Sequence, residues 1–144
     1  MGKQDTVRPD LRVVVVGCTP LARKVINCLE GICEIAGVIG LDESKGRSKS
    51  NYDSLGDFES KYRMLWTGDI NSEQEWIKGT DCDLIIQCGW SQIFKQSILD
   101  IPKRYCLGIH PSPLPAGRGA AIMNWKIIES NGCEFEWGNS LFVM

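Results

Sequence analysis

One histidine occurs in this sequence, His110, within the segment Gly108-Ile109-His110-Pro111-Ser112-Pro113-Leu114-Pro115. An apolar run leads directly into it and three prolines follow. Proline holds φ at about −65°, so the loop is stiff and keeps the imidazole in place. Histidine is the side chain best matched to taking and returning a proton near neutral pH. A position just past the carboxyl end of a strand is where open α/β sheets bind ligands. The chemistry read from this stretch is proton handling on a small ligand. Downstream, Arg118 has the planar fork that holds an anionic substrate group bidentately. Trp90 offers a ring face that suits either a ligand ring or the core.

Other chemistries are less well supported. Gly17-Cys18-Thr19-Pro20 also follows a strand, but it lacks the second glycine of a dinucleotide fingerprint. Asp42 stands near the place of a ribose-binding acid, yet NAD binding is disfavoured. The seven cysteines include no Cys-x-x-Cys pair, and several lie inside apolar runs. They read as reduced, mostly buried thiols without a zinc site. Lys45, Arg47 and Lys49 place three positive charges in a polar stretch that reads as a solvated loop.

The elements that must position these residues alternate. Leu11 to Gly17 is a β-branched apolar run suited to a strand buried on both faces. Thr19 can cap a helix, with Pro20 in its first turn and an apolar stripe from Leu21 to Leu29. Further strands are expected over 35–41, 64–66, 83–88, 105–109 and 135–144. Helices are expected over 58–62, from Asn71 or Ser72 to Lys78, over 92–99, and as an amphipathic segment over 120–130. Glu75 is the expected capping-box partner of Ser72. Strands alternating with helices define an α/β fold with a mainly parallel sheet and helices on both faces.

The chain has 144 residues, 43% hydrophobic and 24% charged, which fits one globular domain. A polar tail over 1–10 precedes a domain over 11–144. Net charge is −2 and pI about 5.4, without the clustered basic excess of a phosphate-backbone binder. The longest apolar run, Val13 to Val16, is far short of a membrane span, and the N-terminus has no signal-peptide core. A cytoplasmic location is expected.

The run from Ile109 to Pro115, followed by Gly117-Arg118-Gly119 and Asn124-Trp125, resembles the folate-dependent formyltransferase family. Its motif is roughly Asn-x-His-x-Ser-x-Leu-Pro, then Arg-Gly, then an apolar helix with a tryptophan. Gly89-Trp90-Ser91-Gln92-Ile93-Phe94 resembles the segment that lines the family's folate pocket. The resemblance covers about residues 11 to 144 and is strongest after 82. It implies a Rossmann-like formyltransferase fold. It also implies that an amine attacks the formyl carbon of 10-formyltetrahydrofolate, which needs proton transfer and oxyanion stabilisation.

By the same resemblance, His110 is the proton-handling residue. Gln92, Ile93, Phe94, Ser112, Leu114 and Pro115 are expected to contact the folate, and Arg118 the substrate. The family's asparagine donor falls at Gly108, and a second arginine falls at Ala120. The family's aspartate would lie beyond Met144, so low or absent turnover is expected of this chain alone. The expected acceptor is a small amine, first of all a nucleotide-linked amino sugar, with transfer RNA and a homodimer left open. Hydrolysis of 10-formyltetrahydrofolate and a non-catalytic folate-binding remnant are the alternatives.

Overall fold

The computed structural model describes residues 8–144. Six strands form one sheet: β1 (Arg12–Gly17), β2 (Glu34–Leu41), β3 (Met64–Thr67), β4 (Leu84–Cys88), β5 (Tyr105–His110) and β6 (Ser140–Val143). Their spatial order is β3-β2-β1-β4-β5-β6. The first five run parallel, and β6 closes the edge antiparallel to β5. Five helices connect them: α1 (Pro20–Leu29), α2 (Glu43–Gly46), α3 (Gln74–Lys78), α4 (Gln96–Leu99) and α5 (Ile122–Ser130). The Rossmann-like α/β architecture is therefore present.

Alternation along β1 builds both faces of the core. Val14 and Val16 enter one cluster with Ile39, Ile77, Ile85 and Ile98, while Val13 and Val15 enter the other with Ala22, Ile26, Val38 and Phe58. Successive strand side chains point to opposite faces, so a run of four valines serves two cores. Strand order reverses between β1 and β4, and their carboxyl ends meet where Gly17 pairs with Cys88. This is the switch point at which open α/β sheets form a crevice.

Several local expectations fail for identifiable reasons. The helix expected over 92–99 forms only as α4, because the stretch before it is tied to the Asn71 side chain of a distant turn and Lys95 is extended. Asn71 Oδ1 accepts from the Lys95 N–H at 2.8 Å, and Asn71 Nδ2 donates to the Ile93 carbonyl at 3.0 Å. The helix expected from Asn71 or Ser72 starts later, as α3. Residues Ile70–Ser72 form a 3-10 turn capped by Asp69, whose side chain accepts from the Asn71 N–H. Ser72 bonds Asp69 and Glu73 there, not Glu75. Thr19 occupies the N-cap of α1, but its hydroxyl makes no capping hydrogen bond. The last strand is confined to β6. Four of the seven cysteines are buried, whereas Cys28 and Cys133 are exposed.

Candidate active site

Parallel pairing brings the loops after β1, β4 and β5 to one edge of the sheet, because Gly17 is level with Cys88 and Cys88 with Ile109. A cleft of about 800 Å³ opens there. His110, the last residue of β5, lines it, as do Thr19 after β1 and Trp90 after β4. Its walls are largely apolar, with few polar groups, the usual make-up of a small-molecule site. Among the described residues no helix is long and apolar enough to cross a membrane.

The imidazole of His110 is oriented by the loop that follows it. Its Nε2 lies 2.8 Å from the Gly117 carbonyl oxygen. A carbonyl only accepts, so Nε2 carries the hydrogen and Nδ1 keeps the lone pair of a neutral ring. The loop is fixed in turn. Ser112 is fully buried; its hydroxyl donates to the Ala116 carbonyl at 2.8 Å, and its N–H donates to the His110 carbonyl at 2.9 Å. Ser140 Oγ donates to the Ser112 carbonyl at 2.8 Å and accepts from the Leu114 N–H at 2.9 Å. A hydroxyl of β6 thus holds the His110 loop to the sheet.

Two polar atoms beside the cleft are buried without a hydrogen-bond partner, Thr19 Oγ1 and Trp90 Nε1. Such atoms cost about 1–3 kcal/mol when unsatisfied, and both are closed off from the cleft surface in this structure. The Cys18 thiol is not a nucleophile here. It is buried and donates to the Gly89 carbonyl at 3.2 Å; burial pushes its pKa up, against the opposing charge of Lys49.

The expected site residues separate into three groups. Gln92, Ile93 and Phe94 line the cleft with His110. The Gln92 amide is already engaged, accepting from the Ile70 N–H and donating to Asp69, each at 2.8 Å. Ile93 is 85% exposed, and Phe94 is buried in the core. Ser112 and Leu114 lie behind the cleft wall in the network just described. Pro115 and Arg118 line a separate groove of about 630 Å³ on the other side of the same loop. The cationic stretch is tied down: Lys45 donates to the Gly68 carbonyl, Arg47 pairs with Glu43, and Lys49 donates to Ser91 Oγ at 2.7 Å.

Sequence reasoning missed Phe142 as a lining residue. In the β5–β6 register it stands opposite Gly108, and its ring lies across that glycine. A Cβ at 108 would come within 2.6 Å of Phe142 Cζ. An aromatic ring therefore fills the space above the position where the family carries its asparagine. The detectable signal was the glycine itself, which inside a strand marks a close approach.

A crevice at the switch point of a Rossmann-like sheet, with the imidazole of His110 at its rim, defines an α/β domain with a cleft of small-ligand size. The family model described as formyl transferase matches residues 11–139, and the chain belongs to that family. It is 30% identical over 135 residues to the methionyl-tRNA formyltransferase of Agathobacter rectalis, covering 87% of this chain and 42% of that protein. The chain thus spans less than half the length of this curated relative. Two solved structures show the same fold. Glycinamide ribonucleotide transformylase 1 from Symbiobacterium toebii matches with a TM-score of 0.68 at 17% identity, covering 99% of this chain and 68% of that one. A sugar N-formyltransferase from Shewanella sp. FDAARGOS_354 matches with a TM-score of 0.60 at 15% identity, covering 93% of this chain and 51% of that one.

Proposed function

We propose that the chain carries the donor-binding core for N-formyl transfer from 10-formyltetrahydrofolate to a primary amine, with a nucleotide-linked amino sugar as acceptor. The observation that carries this reading is His110, oriented by the Gly117 carbonyl at the rim of the apolar cleft. When bound, the folate supplies an activated formyl group. Trp90, Ile93, Phe94 and Phe142 are the apolar residues of the cleft lining that can hold it. His110 takes the proton of the attacking amine on Nδ1, the nitrogen left with a lone pair while Nε2–H donates to the Gly117 carbonyl, and tetrahydrofolate leaves as the bond between its nitrogen and the formyl carbon breaks. The net charge of −2 favours the sugar over transfer RNA, whereas the likeness to a methionyl-tRNA formyltransferase favours the RNA. A cytoplasmic enzyme is consistent with either acceptor.

One observation favours a second reading, a folate-binding domain without turnover: the ring of Phe142 covers Gly108 and offers no oxyanion donor. The test assays formyl transfer and formate release with 10-formyltetrahydrofolate, with and without an amino-sugar nucleotide or methionyl-tRNA. His110→Ala is expected to lower transfer about 10²- to 10⁴-fold while leaving binding of 5-formyltetrahydrofolate intact. Transfer unaffected by the substitution would remove His110 from the chemistry. Formate release without an amine would mark a hydrolase, and folate binding without either product the second reading.

A further inference from the structure

The loop that holds His110 has a second side. Pro115, Gly117 and Arg118 face the 630 Å³ groove, and Ile122 lines both this groove and the His110 cleft. The Gly117 carbonyl that orients His110 belongs to a residue of the groove wall. The two cavities are therefore back to back, separated by one short segment.

The side chains on this second side are of three complementary kinds. Two are indoles. Trp125 is 60% exposed, and Trp137 is pinned by donating from Nε1 to the Pro111 carbonyl at 2.8 Å. Two are cations, Arg118 and Lys126, and neither forms an ion pair among the described residues. Lys126 is instead held over the Phe135 ring, 5.8 Å from its centroid, and that ring meets Trp137 edge-on. The last is a carboxylate, Glu129, an acceptor for hydroxyl groups. Ring faces stack a heterocycle, free cations take a phosphate, and a carboxylate suits a ribose diol. The volume is in the range of small-ligand sites.

We propose that this groove binds a nucleoside phosphate, the nucleotide portion of the acceptor whose amine reaches His110 around the shared segment. The acceptor role rests on the formyl-transfer reading; nucleotide binding by the groove does not. The same chemistry can come from a free nucleotide-linked substrate or from the terminal nucleotide of an RNA.

The test is calorimetric titration of the 144-residue protein with uridine 5′-diphosphate and adenosine 5′-monophosphate, with 5-formyltetrahydrofolate titrated in parallel. Saturable nucleotide binding with a Kd of about 1 mM or tighter is expected. Arg118→Ala and Trp125→Ala, both at exposed positions, should each weaken it about tenfold or more. Trp125→Ala should leave the folate analogue's affinity unchanged. Competition by a four-nucleotide single-stranded RNA would assign the chemistry to an RNA end, and failure to compete would assign it to a free nucleotide; the groove stands in both cases. Absence of saturable nucleotide binding, or binding indifferent to both substitutions, would overturn the proposal even if folate binds. Nucleotide binding lost in both variants, without any folate binding, would keep the groove and remove the formyl-transfer reading.

Discussion

The two halves of this sheet are built differently. Around β1, β2 and β4, strands are paired on both sides, and Val13 to Val16 are fully buried. Around β6 and α5, the apolar residues face outward. α5 has no buried residue, and Trp125, Ile127, Ile128, Leu141 and Val143 are all more than half exposed. The cleft lies where these regions meet: Thr19 and Trp90 come from the packed half, Phe142 and Ile122 from the exposed one. The packed half acts as the fixed reference, and the exposed half supplies the surfaces that a ligand can meet.

Comparing one glycine from each region sharpens this contrast. At Gly17 an added Cβ would strike the Cys88 carbonyl oxygen and sit 2.5 Å from Ala22 Cβ. Neither can yield, because one is sheet backbone and the other lies in the packed first turn of α1. Gly17→Ala is expected to destabilise by about 3 kcal/mol or more, read from urea unfolding at unchanged m. A loss below about 1 kcal/mol would show that the packed half adapts, and the distinction between the regions would fail.

The packed half was also the part most legible in the sequence. Four β-branched residues in a row, followed by an amphipathic helix and a second apolar run, leave little choice but a buried parallel strand. His110 was legible for a similar local reason, since a strand end followed by three prolines places one side chain. What escaped depends on long-range partners. The stretch before α4 is held by Asn71, more than twenty residues away in sequence. Phe142 enters the cleft through an antiparallel register that no local pattern specifies. Arg118 was expected to contact the substrate, and its groove was not foreseen. It lies in the other groove, between Gly117 and Gly119, whose φ angles of 67° and 103° turn the loop away.

Next in size is the tie between α1 and the loop that leads toward the cleft. Arg23 donates to both oxygens of Asp53, at 2.7 and 2.6 Å, and to Asp57 as well. Hydrogen bonding by Arg23 holds the Asp53 carboxyl below its ordinary pKa, against a smaller desolvation effect. A carboxyl with a depressed folded-state pKa contributes its full stabilisation above the unfolded pKa and loses it as pH falls through the folded one. Asp53→Asn should therefore cost about 1–2 kcal/mol at pH 7 and much less once the pH has fallen below the depressed folded-state pKa. A cost independent of pH would assign the tie to packing alone.

Gly108 is the counterpart of Gly17 in the exposed half. The atom an added Cβ would meet is Phe142 Cζ, the far end of a side chain that can swing toward solvent. Gly108→Ala is expected to cost only about 1 kcal/mol, and less again in a Phe142→Leu background. Strict additivity of the two substitutions would separate the ring from the glycine. The same cycle, followed by titration of 5-formyltetrahydrofolate, reads whether moving the ring reshapes the cleft.

The smallest effect is the most informative about the exposed half. Ile128 is 67% exposed on α5, beside Ile127 and one turn from Trp125. If α5 is solvated as its geometry shows, Ile128→Ser changes stability by no more than about 0.5 kcal/mol. Burial of a full isoleucine is worth about 1.5–3 kcal/mol, so a surface covered in solution would give a several-fold larger loss. Unfolding at two protein concentrations separates the ways it could be covered. A loss that shrinks on dilution identifies a second copy on the helix. A large loss independent of concentration identifies packing within one chain and would make α5 part of the core after all. A negligible loss at both concentrations leaves α5 as a solvated wall of the groove formed by Arg118, Lys126 and the two indoles.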